Sequence, residues 1–291
     1  MELIEIIIVC VIGWLAGTLV NLLADELPYR RGLASPVYAD GSLRPILAWS
    51  GISAFLFKLR DPQNPAQIER ERLNKDQPRL SWRYPITEIA TIILMLLCLQ
   101  RVHALPDAST AQLIIWLIYM PIFVLITVID IEYKLILFIV MIPTGLLAIL
   151  AALLASNNYI PNIQQALVGG VVGFVVFYLF YLGGFLFTYM MGKAQGREIR
   201  TTAFGRGDVT LMCVGGLMLG VLPAVIAMFL TVIFGALGAV IYLLSRSVLG
   251  SKYSLYTALP YGPYIVAAIL LMLLYTGPMQ ELLLGYCLNG C

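Results

Sequence analysis

Charge is what this chain lacks most. Only 12% of its 291 residues are charged, against 60% hydrophobic, too little polar surface for a soluble protein of this length. The net charge of +2 is too small to point to nucleic acid. Histidine is reduced to one residue, His103, near Arg101 and Asp107. That leaves no zinc-ligand cluster and no histidine partner for a serine or cysteine nucleophile outside the spans. Cysteine is limited to five residues with no CxxC pair. Cys10, Cys98 and Cys213 fall in apolar runs, where cysteine behaves as a small hydrophobe. Cys287 and Cys291 lie in the tail, where a disulfide and two free thiols are equally open readings. Internal repeats and low-complexity tracts are missing as well.

What the chain has is long apolar runs. A membrane span takes about 20 such residues. The runs predict helices near 3–24, 86–101, 111–130, 135–155, 165–191, 209–222, 224–245 and 258–276. These eight make an all-α polytopic membrane protein. Gly220 and Pro223 supply the break between the sixth and seventh. The first run reads as a retained helix rather than a signal peptide. Glu2 and Glu5 stand at its start, no small-residue cleavage site follows, and Arg30 and Arg31 lie just beyond it. With the amino terminus outside, segments 25–85, 131–134, 192–207 and 246–257 face the cytoplasm. They hold ten, one, four and two Lys and Arg, all of the 18 except Arg101, the asymmetry expected of cytoplasmic loops.

Four regions follow: a first span over 1–24, a cytoplasmic insert over 25–85, a membrane-embedded core over 86–277 and an extracytoplasmic tail over 278–291. In the insert, the polar stretch 61–79 reads as solvated loop or short helix. The run 46–57, ILAWSGISAFLF, is too short to span. It packs as a small core or lies at the membrane interface.

Acidic residues are costly inside a membrane, and here they avoid the predicted helix centres. Asp130 ends the third helix in VLITVIDIEYKLIL, and Asp208 opens the sixth in AFGRGDVTLM. The topology places both at the cytoplasmic face, so two spans distant in sequence can bring two carboxylates together. The sixth helix is short: 209–222 gives about 21 Å against a hydrocarbon core of about 30 Å. If 209–222 is the whole helix, either Asp208 is recessed into the membrane or the bilayer is locally thinned, and Gly205 and Gly207 allow close backbone approach beside it. Two neighbouring acids can share one proton. One then acts as general base on water while the other hydrogen-bonds the scissile carbonyl, peptide hydrolysis without metal or nucleophilic side chain. The residues alone leave other readings open. Asp208 can be a helix N-cap, and Asp130 can mark the interface as Glu132 and Lys134 do. The chain can be a non-catalytic membrane assembly factor, or a proton- or cation-coupled transporter using the same aspartates.

Ordered motifs add a resemblance. GTLVNLLADELP, from Gly17 to Pro28, carries Gly17, Asn21 and a Leu-Pro end. LSWRYPITE carries Arg83, Tyr84, Pro85 and Glu88. IDIE holds Asp130, GRGDVTL holds Gly205, Gly207 and Asp208, and PYGP holds Pro260, Gly262 and Pro263. In this order and spacing they resemble the bacterial type IV prepilin peptidases, membrane aspartyl proteases with a GxGD motif, over nearly the whole chain. The resemblance implies that Asp130 and Asp208 are the catalytic pair. It implies an active-site loop at Gly205 and Gly207, and structural motif roles for Gly17, Asn21, Arg83, Glu88, Pro260, Gly262 and Pro263. It implies cleavage of a short basic leader from prepilins or pseudopilins, after a glycine, at the cytoplasmic face of the bacterial inner membrane. It leaves open methylation of the new amino terminus with S-adenosylmethionine.

Three departures stand out. Many family members bind zinc through two CxxC pairs in the insert; there is no cysteine between Arg30 and Arg83, so no zinc is expected. RPILAWSG (44–51) still resembles the segment between those pairs. Leu137 stands where the family has a proline after the first aspartate, and Thr210 stands where it has a lysine.

Overall fold

The computed structural model describes residues 2–29, 35–38, 42–60, 80–106, 108–155, 157, 159–195, 205–248 and 260–284. Arg30, Arg31, Asp107, the polar stretch 61–79, Cys287 and Cys291 lie outside them. The described residues form helices and one isolated bridge, Val37 to Leu43. In chain order the helices are α1 (Leu3–Glu26), α2 (Gly51–Leu56), α3 (Arg83–Ala104), α4 (Thr110–Tyr133), α5 (Phe138–Leu154), α6 (Ile163–Gln195), α7 (Arg206–Leu219), α8 (Val221–Val248) and α9 (Gly262–Leu284). Six of these, α1, α3, α4, α6, α8 and α9, carry runs long and apolar enough to cross a membrane, and α5 is a shorter apolar helix. The protein is an all-α, multi-pass membrane protein.

The long helices fall where the apolar runs predict them, but three boundaries that matter for the site differ. α4 continues to Tyr133, so Asp130 lies one turn inside its end rather than at it. Lys134 stops the helix in a left-handed conformation with φ 53°, its amide bonded to the Asp130 carbonyl at 2.9 Å. α7 has the expected fourteen residues but starts at Arg206. Gly205 is its N-cap and Asp208 the third helical residue, which corrects the N-cap reading of Asp208. The break between α7 and α8 falls on Gly220 alone, at φ 76° and ψ −175°, a conformation essentially reserved for glycine. Pro223 is instead accommodated in the first turn of α8, where its missing N–H has no helical partner to lose.

The chain divides into two compact units. The first comprises residues 1–107 and 116–128. In it α1 packs along α3, and the insert folds against them through a small core of Tyr38, Ala48, Ala54 and Leu80. The run 46–57 thus becomes a 3-10 turn, Ile46–Ala48, followed by α2. The expectation of a small core is met in part: Ala48 and Ala54 are buried, while Ile46, Leu47, Leu56 and Phe57 stay exposed. The second unit comprises residues 108–115 and 129–291. Its closest pairing is α6 with α7. Gly169 and Gly216 meet there backbone to backbone, with no room for a Cβ at either, the small-residue packing expected between membrane helices.

Candidate active site

The second unit brings Asp130 and Asp208 together. Asp130 comes from the last turn of α4 and Asp208 from the first turn of α7; they are 4% and 7% exposed. Their carboxyl groups are close enough for the charge of one to act on the other. Each is fixed by a main-chain donor. The Gly205 amide donates to Asp208 Oδ2 at 2.9 Å, within the same motif. The Gly262 amide donates to Asp130 Oδ2 at 2.8 Å, across 132 residues of sequence. Among the described residues no hydrogen bond engages either Oδ1, so each carboxyl offers an oxygen to a water or a peptide.

The glycines of the two motifs have separate jobs. A Cβ on Gly262 would stand 2.7 Å from Asp130 Oδ2, so only glycine lets this amide reach that carboxyl. A Cβ on Gly207 would stand 2.6 Å from the Ile136 Cβ, so Gly207 seats α7 against the α4–α5 connection. A Cβ on Gly205 would meet nothing closer than 3.6 Å; its contribution is its amide. Pro263 is the second residue of α9, where a proline fits the first turn. Pro260 lies just ahead of that helix and lines a groove along it. Leu137 is the N-cap of α5, a position suited to the proline it replaces. The Thr210 hydroxyl turns back to the Gly207 carbonyl at 2.8 Å.

The remaining motif residues, Gly17, Asn21, Arg83 and Glu88, gather in the first unit. Glu88 is fully buried. Its carboxylate accepts from the Ser50 hydroxyl (2.7 Å), the Gly51 amide (2.6 Å), the Ile52 amide (2.9 Å) and Asn21 Nδ2 (3.3 Å). Asn21 also donates to the Tyr84 carbonyl, and Gly17 packs on the Glu88 backbone with no room for a Cβ. Arg83 and Arg44 pair with Asp25, which also accepts from the Tyr84 hydroxyl at 2.8 Å. This network pins the insert to α1 and α3. His103 has its own structural partners, Glu5 at 3.2 Å and the Leu99 carbonyl at 3.0 Å. Among the described residues no group of three His, Cys, Asp or Glu is arranged to hold a metal.

Two residues near the carboxyls were not singled out by the sequence. Tyr261 lies close enough to Asp208 to interact with it electrostatically, and its hydroxyl donates to the Thr231 carbonyl at 3.3 Å. Lys134 brings a positive charge near Asp130. Tyr261 sits inside the PYGP motif, a signal that was available. Lys134 is four residues beyond Asp130, where only the helix end reveals its proximity.

Fold and site define a polytopic α-helical membrane protein carrying a buried pair of carboxyls in one unit. Residues 113–240, less than half of the chain, match the model of the type IV leader peptidase family. A type IV leader peptidase-like protease is the function class that follows. The matched segment includes Asp130, Gly205, Gly207 and Asp208 and ends before Pro260. No curated protein sequence and no solved structure matches the chain.

Proposed function

We propose that the protein is a membrane-embedded aspartyl endopeptidase. It removes the short basic leader from prepilins or pseudopilins after a glycine, at the cytoplasmic face of the inner membrane, with its own amino terminus outside. The observation that carries this reading is the convergence of two buried carboxyls, each tethered at Oδ2 by a backbone amide. Such a pair shares a proton because two adjacent negative charges are costly in a poorly solvated site. The ionised member takes a proton from water, and the hydroxide attacks the peptide carbonyl carbon. The protonated member donates a hydrogen bond, then its proton, to the carbonyl oxygen. The tetrahedral diol collapses as the C–N bond breaks: the carboxyl that took a proton from water gives it to the leaving amide nitrogen, and a diol hydroxyl returns its proton to the other carboxylate. Among the described residues each Oδ2 is held by a backbone amide.

Proteolysis on this scheme takes no cofactor and no zinc. Methyl transfer from S-adenosylmethionine to the new amino terminus remains a separate activity to be assayed. The test is co-expression with a candidate prepilin and mass spectrometry of the product. Asp130→Asn and Asp208→Asn should each leave the precursor intact while the protein still inserts. Normal processing by either variant overturns the assignment. The same spectrum reports methylation as one added methyl group on the mature chain.

A further inference from the structure

The insert of the first unit carries an apolar surface that its own small core leaves uncovered. Ile46 is 81% exposed and Leu56 73%, and Leu47, Phe57 and Trp82 are each more than half exposed. The Trp82 ring meets that of Phe55 at 4.7 Å between centroids. The Arg60 guanidinium lies over both rings, 4.1 Å from the Phe55 centroid and 5.6 Å from that of Trp82. Residues 42–60 hold Arg44, Lys58 and Arg60 and no acidic residue. Arg44 pairs with Asp25, Lys58 is exposed, and among the described residues no carboxylate pairs with Arg60.

The anchors of the insert fix its level along the spans. α1 and α3 run antiparallel: Gly13 packs on Ile92, Gly17 packs on Glu88, and Asn21 donates to the Tyr84 carbonyl. The start of α2 is tied in at the Gly17–Glu88 level. The Ser50 hydroxyl and the Gly51 and Ile52 amides donate to Glu88, and the Trp14 indole N–H donates to the Ser50 hydroxyl at 2.8 Å. Gly17 lies nine residues before the end of α1, about 14 Å of helix. Around this level α1 exposes Leu15 and Leu19, and α3 exposes Ile86 and Ile89. Both helices are apolar enough to cross a membrane, so these side chains face acyl chains. The start of α2 therefore lies beside lipid, well inside the ends of the two spans.

We propose that the insert docks on the bilayer: its exposed apolar residues enter the acyl boundary of the leaflet on its own side, and Lys58 and Arg60 meet the phosphates of anionic phospholipids there. Two observations select a lipid leaflet over a protein partner. The surface is continuous with the lipid-facing sides of α1 and α3, and its uncompensated cations complement an anionic leaflet. Its composition agrees. Tryptophan, lysine and arginine around an apolar face settle at the headgroup level, with ring or stem in the apolar layer and the polar end among the headgroups. Arg60 is held in that attitude by the Phe55 and Trp82 rings. α2 has six residues, far short of the roughly 20 that cross a bilayer, so it lies at the interface. The proposal goes beyond the peptidase reading and does not rest on it.

The test uses the full chain in vesicles made of equal parts phosphatidylcholine and phosphatidylglycerol. Photoreactive benzoylphenylalanine replaces Ile46 or Leu56 in separate chains. A third chain carries it at Ile7, exposed near the other end of α1, as the lipid-facing reference. All three side chains are exposed, so the substitutions leave the core as it is. After illumination, mass spectrometry identifies what each position has joined. Ile46 and Leu56 should give phospholipid adducts in yields within about threefold of Ile7. The Leu56 adducts should be enriched in phosphatidylglycerol about fivefold over those of Ile7, the scale of one cation near an anionic surface. Lys58→Asn removes a charge while asparagine accepts the φ of 57° at that position; it should cut the enrichment by about half or more. Adducts from Ile46 and Leu56 only to protein, whether a second copy or another part of the chain, overturn the docking, as does the absence of adducts from both while Ile7 labels lipid. Equal lipid composition at Leu56 and Ile7 overturns the recognition of anionic lipid, and an enrichment that Lys58→Asn leaves unmoved overturns the role of Lys58. Prepilin cleavage by the same chains reports on the peptidase separately, and neither result decides the other.

Discussion

Replacing Gly262 with alanine tests the site at its most sensitive point. The new Cβ would lie 2.7 Å from Asp130 Oδ2 and 2.9 Å from its Cγ, where ordinary contacts begin near 3.4 Å. The carboxyl must therefore retreat by about 0.7 Å, or α9 must move away by as much. Either way the 2.8 Å bond from the Gly262 amide is stretched. A charge-assisted bond of this kind contributes about 1.5–3 kcal/mol. A displacement approaching 1 Å lowers catalysis by about 10²-fold, equivalent to about 2.7 kcal/mol at the transition state. Both routes point to a loss of about 10²-fold in kcat for Gly262→Ala, with KM changed little because the substrate's distal contacts are untouched. The assay is cleavage of a purified prepilin in detergent or vesicles, followed over time by gel or mass spectrometry. Thermal unfolding serves as the control for folding. Activity within twofold of wild type, with the chain folded, would refute the claim that this amide positions Asp130.

The glycines of the GRGD motif should separate in the same assay. Gly205→Ala, at φ −88° with open space around its Cβ, should retain activity within about threefold, since its amide is kept. Gly207→Ala, forced against Ile136, should lose at least about tenfold through displacement of α7. Equal losses would contradict the geometry. Glu88→Gln should destabilise the first unit by about 2–4 kcal/mol, because an amide cannot accept all five of the bonds that the buried carboxylate takes. Faster protease cleavage of the insert around α2, with the spans intact, is the readout; an unchanged digestion pattern refutes it. Gly220→Ala should lower stability by about 1–3 kcal/mol, read as a lower unfolding temperature, because its backbone conformation is strained for any residue with a Cβ.

The apolar runs made the long helices legible because length and hydropathy are local properties. Helix ends were not, because they depend on particular partners. The mix of apolar and charged residues over 131–134 predicts a helix that ends at Asp130, yet the chain stays helical until Lys134 adopts a positive φ. The apolar run after Asp208 leaves an N-cap open as one reading of it, yet Gly205 takes that place and Asp208 bonds back to its amide. The pairing of the two carboxyls could be inferred from topology alone, since both lie near the same predicted face. What anchors them could not. A backbone amide has no residue-type signature, and the Gly262 amide reaches Asp130 across 132 residues. Glu88 was visible as a motif position, but its donors at Ser50, Gly51 and Ile52 come from a segment whose folding only the insert's own core determines.

The two anchors differ in a way that bears on how the site responds to displacement of its helices. Asp208 is held from three residues away, inside its own helix start, so its carboxyl stays set wherever α7 goes. Asp130 is held from the first residue of α9, so its carboxyl is set only while α9 is in place. Displacing the start of α9 should therefore disturb Asp130 while leaving the Asp208 tether in place. The Tyr264 ring, two residues after Gly262, is seated on Gly238 of α8 with no room for a Cβ there. Tyr264→Ala, which removes that seat, should lower kcat with KM changed little. An unchanged kcat, with the chain folded, would mean that the start of α9 is fixed without this contact.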